Sequence, residues 1–160
     1  MTTAITEIMA SGAGGGAQVS VQNLVTRLDP ARYDAEVISL SDGPAVRRLR
    51  AAGVTVHVVD DPDDTNALAA VIELLRRRPP EIIHDHMYRA EVIGTRAALA
   101  LAELGLPRPF VVSTIHSSRV RSPEDRALVR RLTPSMDRLI AVSRAIIAKL
   151  VAEGRTAAPV

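Results

Sequence analysis

Residues 9–20, MASGAGGGAQVS, set Gly12, Gly14, Gly15 and Gly16 between an apolar run and an amphipathic one. The segment before the glycines, AITEIMA (4–10), reads as a short strand. After them Val21, Leu24, Val25 and Leu28 recur at the spacing of one helical face, which Asp29-Pro30 stops. A strand, a glycine turn and a helix in that order leave backbone N–H groups free at a helix start, where an anion is favoured. The run from Gly12 through Gly14 to Ala17 also fits G-x-G-x-x-A, the pattern of dinucleotide-binding loops. That pattern wants an acid closing the second strand, and the nearest one, Asp42, lies late, in a Ser-Asp-Gly turn. A tight packing turn, a loop facing a sugar diphosphate and a dinucleotide loop all remain compatible with these residues.

Outward from this loop the chain alternates strand-like and helix-like runs to its end. Strands are expected at 35–40, 54–59, 81–86, 109–116 and 138–142. The intervening helices carry their own punctuation: Pro44 and Gly53 bound one, Pro79-Pro80 ends the next, and Gly154 closes the last. Within TNALAAVIELLRRR, Leu68, Val71, Ile72 and Leu75 form the inward stripe. Six strands alternating with six helices predict an α/β fold: a Rossmann-like, doubly wound parallel sheet of about six strands with helices on both faces. The apolar runs FVV and LIAV suit central strands buried on both sides. Ligands of such sheets bind beyond the carboxyl ends of the strands, near the reversal of strand order.

Composition narrows the possibilities. The 160 residues, 47% hydrophobic, suit one domain over 1–160 with an aliphatic core. One Phe, two Tyr and no Trp offer few rings for stacking on bases, so sequence-tolerant nucleic-acid binding is not expected. Twenty basic against eighteen acidic residues leave too small a net charge for a general polyanion-binding face. Without cysteine there are no disulfides or thiolate metal sites, which fits a reducing compartment. The start MTTAITEIMA lacks the form of a secretory signal, and no apolar run approaches a membrane span, so a soluble cytoplasmic protein is expected.

The strand ends hold the chemistry. In HDHMYRA, His84 and His86 share one face of an extended chain and Asp85 takes the other. The two histidines could begin a metal site with His116, but no carboxylate has obvious ligand spacing. The favoured reading makes His84 structural and turns His86 toward the site, with Tyr88 and Arg89 able to reach a polyol or phosphate. His116, closing the fifth strand in STIHSS beside Ser117, is placed to hydrogen-bond a hydroxyl or move a proton. Arg119, Arg121, Arg126, Arg130 and Arg131 follow closely. They form either a solvated face or a basic patch for an acidic acceptor or anionic headgroups at the inner face of a membrane. Ser143 is the expected N-cap of the last helix.

Taken in order, Gly15-Gly16-Ala17-Gln18, RLRAAGVTVHVV, RRRPPEIIHDHMYRAEVIGTRAA, FVVSTIH and DRLIAVSRAIIAKLV resemble the N-terminal, acceptor-side domain of group 1 (family four) retaining glycosyltransferases of the GT-B fold. The resemblance implies one half of a two-domain enzyme that transfers a sugar from a nucleotide-sugar to an acceptor (a sugar, glycolipid or small molecule), without a metal cofactor. It implies Gly15 and Gly16 beside the donor phosphate, and His116 as the histidine contacting the transferred sugar and acceptor. Gln18, His86, Arg89 and Ser117 would bind substrate. Family members commonly carry glutamate where Gln18 stands, so a charged acceptor contact there is not implied. They also run on into a donor-binding domain beyond the point where TAAPV ends this chain, so the 160 residues alone are expected to be inactive. A nicotinamide-dinucleotide module using Gly12, Gly14 and Ala17, or a stand-alone interaction domain using the basic patch, are the competing readings.

Overall fold

A computed structural model describes residues 2–117, 119 and 121–156. The elements run β1 (Thr3–Met9), α1 (Gly16–Val25), β2 (Tyr33–Ser39), α2 (Pro44–Ala51), β3 (Val56–Val58), α3 (Asp64–Arg77), β4 (Ile82–His86), α4 (Tyr88–Glu103), β5 (Phe110–Ile115), α5 (Pro123–Leu132), a 3₁₀ turn (Thr133–Ser135), β6 (Arg138–Ala141) and α6 (Arg144–Ala152). All six strands are parallel, in the order β3-β2-β1-β4-β5-β6. The chain leaves β1 toward β2 and β3, then returns to add β4 on the other side, so strand order reverses between β1 and β4. This is the expected α/β Rossmann-like sheet.

Each face has its own core. On one, Ile8, Ile38, Ile83, Val111 and Leu139 pack under Val71 and Leu75 of α3, Ile93, Ala97 and Leu101 of α4, and Ile146 and Leu150 of α6. On the other, Met9, Val37 and Val56 pack under Val21 of α1 and Val46 and Leu49 of α2. Helix ends follow their sequence signals. Asp63 caps α3 by accepting from Thr65 and Asn66 N–H, Ser143 caps α6 as expected, and Gly53 and Gly154 take positive φ after α2 and α6.

Two expectations are corrected. β6 is an edge strand, and on its open face Ile140 is 44% exposed, as is Phe110 of β5 at 41%. An apolar run marks both-face burial only where helices cover both sides, and α1 and α2 lie over the β1–β3 half. In α1 the helix ends at Val25, before Leu28, and Leu24 is exposed; Val21 and Val25 carry its apolar inward contact.

Candidate functional site

The order reversal puts the carboxyl ends of β1, β4 and β5 side by side. Ala10 N–H donates to the His86 carbonyl at 3.2 Å, and Gln18 Nε2 reaches the Met87 sulfur at 3.9 Å, so the glycine loop and the β4–α4 turn are joined.

The glycines divide into two kinds. Gly12 is buried; a Cβ there would lie 2.5 Å from the Ser41 carbonyl oxygen, while its N–H donates to Ser41 Oγ and its carbonyl accepts from Ala45. Close packing against the turn after β2 therefore requires it. Gly14 and Gly16 are exposed, with open space where a Cβ would be. Gly15 is the N-cap of α1 and no side chain caps that end, so the first N–H groups of a ten-residue helix stay open to an anion. Asp42, the acid nearest the end of β2, is exposed in the turn and accepts from its own neighbour Gly43 N–H.

The strands β1, β4 and β5 contribute a buried polar cluster. Register pairs Glu7 with His84 and His86 with Thr114, which puts all four on the same face. His86 Nε2 lies 2.6 Å and His84 Nδ1 3.1 Å from Glu7 Oε2. His84 Nε2 meets Thr114 Oγ1 at 2.7 Å, and His86 Nδ1 meets His116 Nε2 at 3.1 Å. Burial pushes the Glu7 carboxyl up, but hydrogen bonds and charge from both histidines outweigh it and hold the group below its ordinary value. Burial lowers His86, and lowers His116 to about 4, the neighbouring rings adding to the effect. Glu7, His84 and His86 place three potential ligand atoms within 4.8 Å, a donor set able to hold a metal ion. The separations are hydrogen-bond lengths, and both outer ring nitrogens already have protein partners. Glu7 went unrecognised in the sequence because it lies 77 residues from His84; its one local signal is an acid inside a short, otherwise uncharged strand, ITEIM.

Asp85 faces the opposite side, as expected. It is fully buried against α4, where Gly94 leaves room for its carboxylate, and neither oxygen has a hydrogen-bond partner among the described residues. Burial, with Glu91 and Glu7 nearby, pushes it well above the ordinary carboxylate range. Met87, between His86 and Tyr88, holds φ of 71°, a strained backbone for a non-glycine residue at the mouth of the crevice.

His116 and Ser117 line a cavity of about 200 Å³ between α4, α5 and α6, together with Arg119, Arg121, Arg126 and Lys149. Arg121 stacks over the Tyr88 ring at 4.0 Å, and Tyr88 OH donates to Asp125 at 2.6 Å. Beneath, Arg155 is 2% exposed and pairs with buried Glu91 and Thr133. Arg130 lies farther round, beside Gly154.

Three of the residues expected to meet substrate have partners within the chain. His86 is 2% exposed and enclosed by Glu7 and His116, so its ring reaches the crevice through His116. Gln18 is buried, its amide donating to the Ser11 carbonyl. Arg89 donates to Asp64 and to the Leu40 and Asp61 carbonyls, tying α4 to the loops after β2 and β3. Gly15, Gly16, His116 and Ser117 remain accessible.

A family model for the glycosyl transferase 4-like domain matches residues 15–160. The fold is similar to that of Anabaena HepE, solved with UDP, at 21% identity and a TM-score of 0.79, covering 98% of this chain and 42% of that one. It is also similar to the lipopolysaccharide outer core galactosyltransferase WaaB (13% identity, TM-score 0.76, 97% and 43%) and to a UDP-N-acetylglucosamine 2-epimerase (14%, 0.69, 98% and 46%). The chain thus spans less than half the length of these solved proteins. No curated protein sequence matches it. Among the described residues, no helix is long and apolar enough to cross a membrane.

Proposed function

We propose, from the premise that the chain belongs to the glycosyl transferase 4-like family, that it forms the acceptor-side half of a retaining glycosyltransferase cleft. The observation that carries this reading is the open α1 N-terminus at the reversal of strand order, with the half-buried His116 and a basic cavity at the carboxyl ends of the neighbouring β4 and β5. In this reading the N–H groups at Gly15 and Gly16 take part of the negative charge of the donor diphosphate, and His116 orients a sugar hydroxyl. Arg119, Arg121 and Arg126 beside it suit an acidic acceptor or an anionic headgroup at a membrane surface. The chemistry asks for no metal ion where N–H groups and guanidinium groups carry the charge.

A second domain would supply most of the nucleotide contacts and close the cleft. One face alone positions substrates but neither clamps the leaving group nor excludes water, so these 160 residues are proposed to be inactive by themselves. HepE has been solved with UDP and UDP-glucose, which makes UDP-glucose the natural probe. Calorimetric titration of the chain with UDP-glucose and with NAD separates the two phosphate-loop readings. Micromolar NAD affinity, or turnover of UDP-glucose by the chain alone, contradicts this one.

A further inference from the structure

We infer that Glu7 and His86 are positioning residues that hold His116 in a single tautomer, Nε2–H donated inward and Nδ1 bare toward the ligand, so that the group His116 recognises is a hydrogen-bond donor. The inference extends the proposed role of His116 and rests on it only for the identity of the ligand; the tautomer is a property of the free chain.

Glu7 is 1% exposed and receives His84 and His86 on one carboxylate, and an ionised carboxylate can only accept. The His86 nitrogen 2.6 Å away, Nε2, therefore carries a proton. A neutral His86 then has a bare Nδ1, which can only accept, and its partner at 3.1 Å is His116 Nε2. That nitrogen must donate, and neutral His116 is left with a bare Nδ1 that has no partner among the described residues. A carboxylate orienting one imidazole, which orients the next, extends by one ring the way a base is set by a third group. The opposite assignment needs a protonated His86, whose inward neighbours are Glu7, His84 and His116. Burial, with the His84 ring, outweighs the Glu7 carboxylate that favours that charge, and Arg119 and Arg121 line the cavity that His116 borders. The consequence is chemical selectivity: a bare Nδ1 accepts from a sugar hydroxyl and has nothing to offer a phosphate or carbonyl oxygen.

Long-range ¹H–¹⁵N NMR of the chain's histidines at neutral pH reads this directly. The expected spectrum shows a pyrrole-type Nε2 and a pyridine-type Nδ1 for both His86 and His116. In Glu7→Gln and in His86→Phe, with backbone amide spectra confirming the fold, the His116 signals move toward the average of two tautomers. An Nδ1–H form of His116 in the unmodified chain, or an unchanged single tautomer in folded Glu7→Gln, overturns the inference. Adding UDP-glucose should shift Nδ1 toward the hydrogen-bonded position. If the free-chain tautomer is as expected and His116 ignores UDP-glucose, the sugar-facing role falls while the relay stands.

Discussion

Glu7 and His116 never touch, yet one histidine joins them: His86 places Nε2 2.6 Å from the Glu7 carboxylate and Nδ1 3.1 Å from His116 Nε2. A buried charge is thereby connected to a ring at the mouth of the crevice, across three neighbouring strands.

Acid should weaken the fold through this cluster. His116 has its pKa depressed to about 4 from 6.5, so the stability it contributes is complete above 6.5 and is lost as the pH falls toward 4. Glu7, also depressed, adds its loss as the pH drops below 4.5 through its folded value. Urea unfolding from pH 8 to pH 4 is expected to show the decline. His116→Asn should flatten its upper part, and NMR titration should find His116 neutral at pH 6.

Asp85 works in the opposite sense. Its pKa is raised, so its contribution is present below the unfolded value near 3.8 and is lost as the pH rises toward the folded one. Asp85→Asn keeps the shape and removes the titration. The stability of the variant relative to wild type is expected to grow from pH 4 to pH 7, measured by urea midpoints; a pH-independent difference contradicts the assignment.

The glycines should separate by role. Gly12→Ala forces a Cβ into the Ser41 carbonyl and is expected to cost about 1–3 kcal/mol. Gly14→Ala and Gly16→Ala meet nothing within 4 Å and should change stability by only about 0.5 kcal/mol. Thermal unfolding of the three variants compares them.

The pair of Glu91 and Arg155 is nearly sealed from solvent. Arg155→Ala leaves a buried carboxylate unpaired and should cost about 3–5 kcal/mol, whereas Arg155→Met with Glu91→Gln should recover much of it. A double-mutant cycle by urea unfolding measures the coupling.

Much of the fold was legible because strand and helix signals are local: Pro44, Gly53 and Gly154 punctuate helices at the positions the structure uses. The site was only half legible. Alternation along HDH placed both histidines on one face, and strand-end position singled out His116. What closes the cluster is a register, Glu7 against His84, that spans 77 residues and leaves no local mark. For Arg89 and Gln18 a related part is not local: their tertiary partners, Asp64 and the Leu40 and Ser11 carbonyls, are set by the returning chain. The cover over β5 and β6 escaped the pattern as well, since an apolar run does not say which of its faces a helix reaches.

In the proposed function the open glycines and His116 form one face for a sugar nucleotide, and backbone amide NMR during a UDP-glucose titration follows that face residue by residue. The predicted result is weak, millimolar-range binding whose shift changes concentrate on Gly14–Ala17 and on His116 and Ser117, diminished in His116→Asn. Shift changes that bypass the glycine loop and His116, or tighter binding of NAD at the same residues, contradict it.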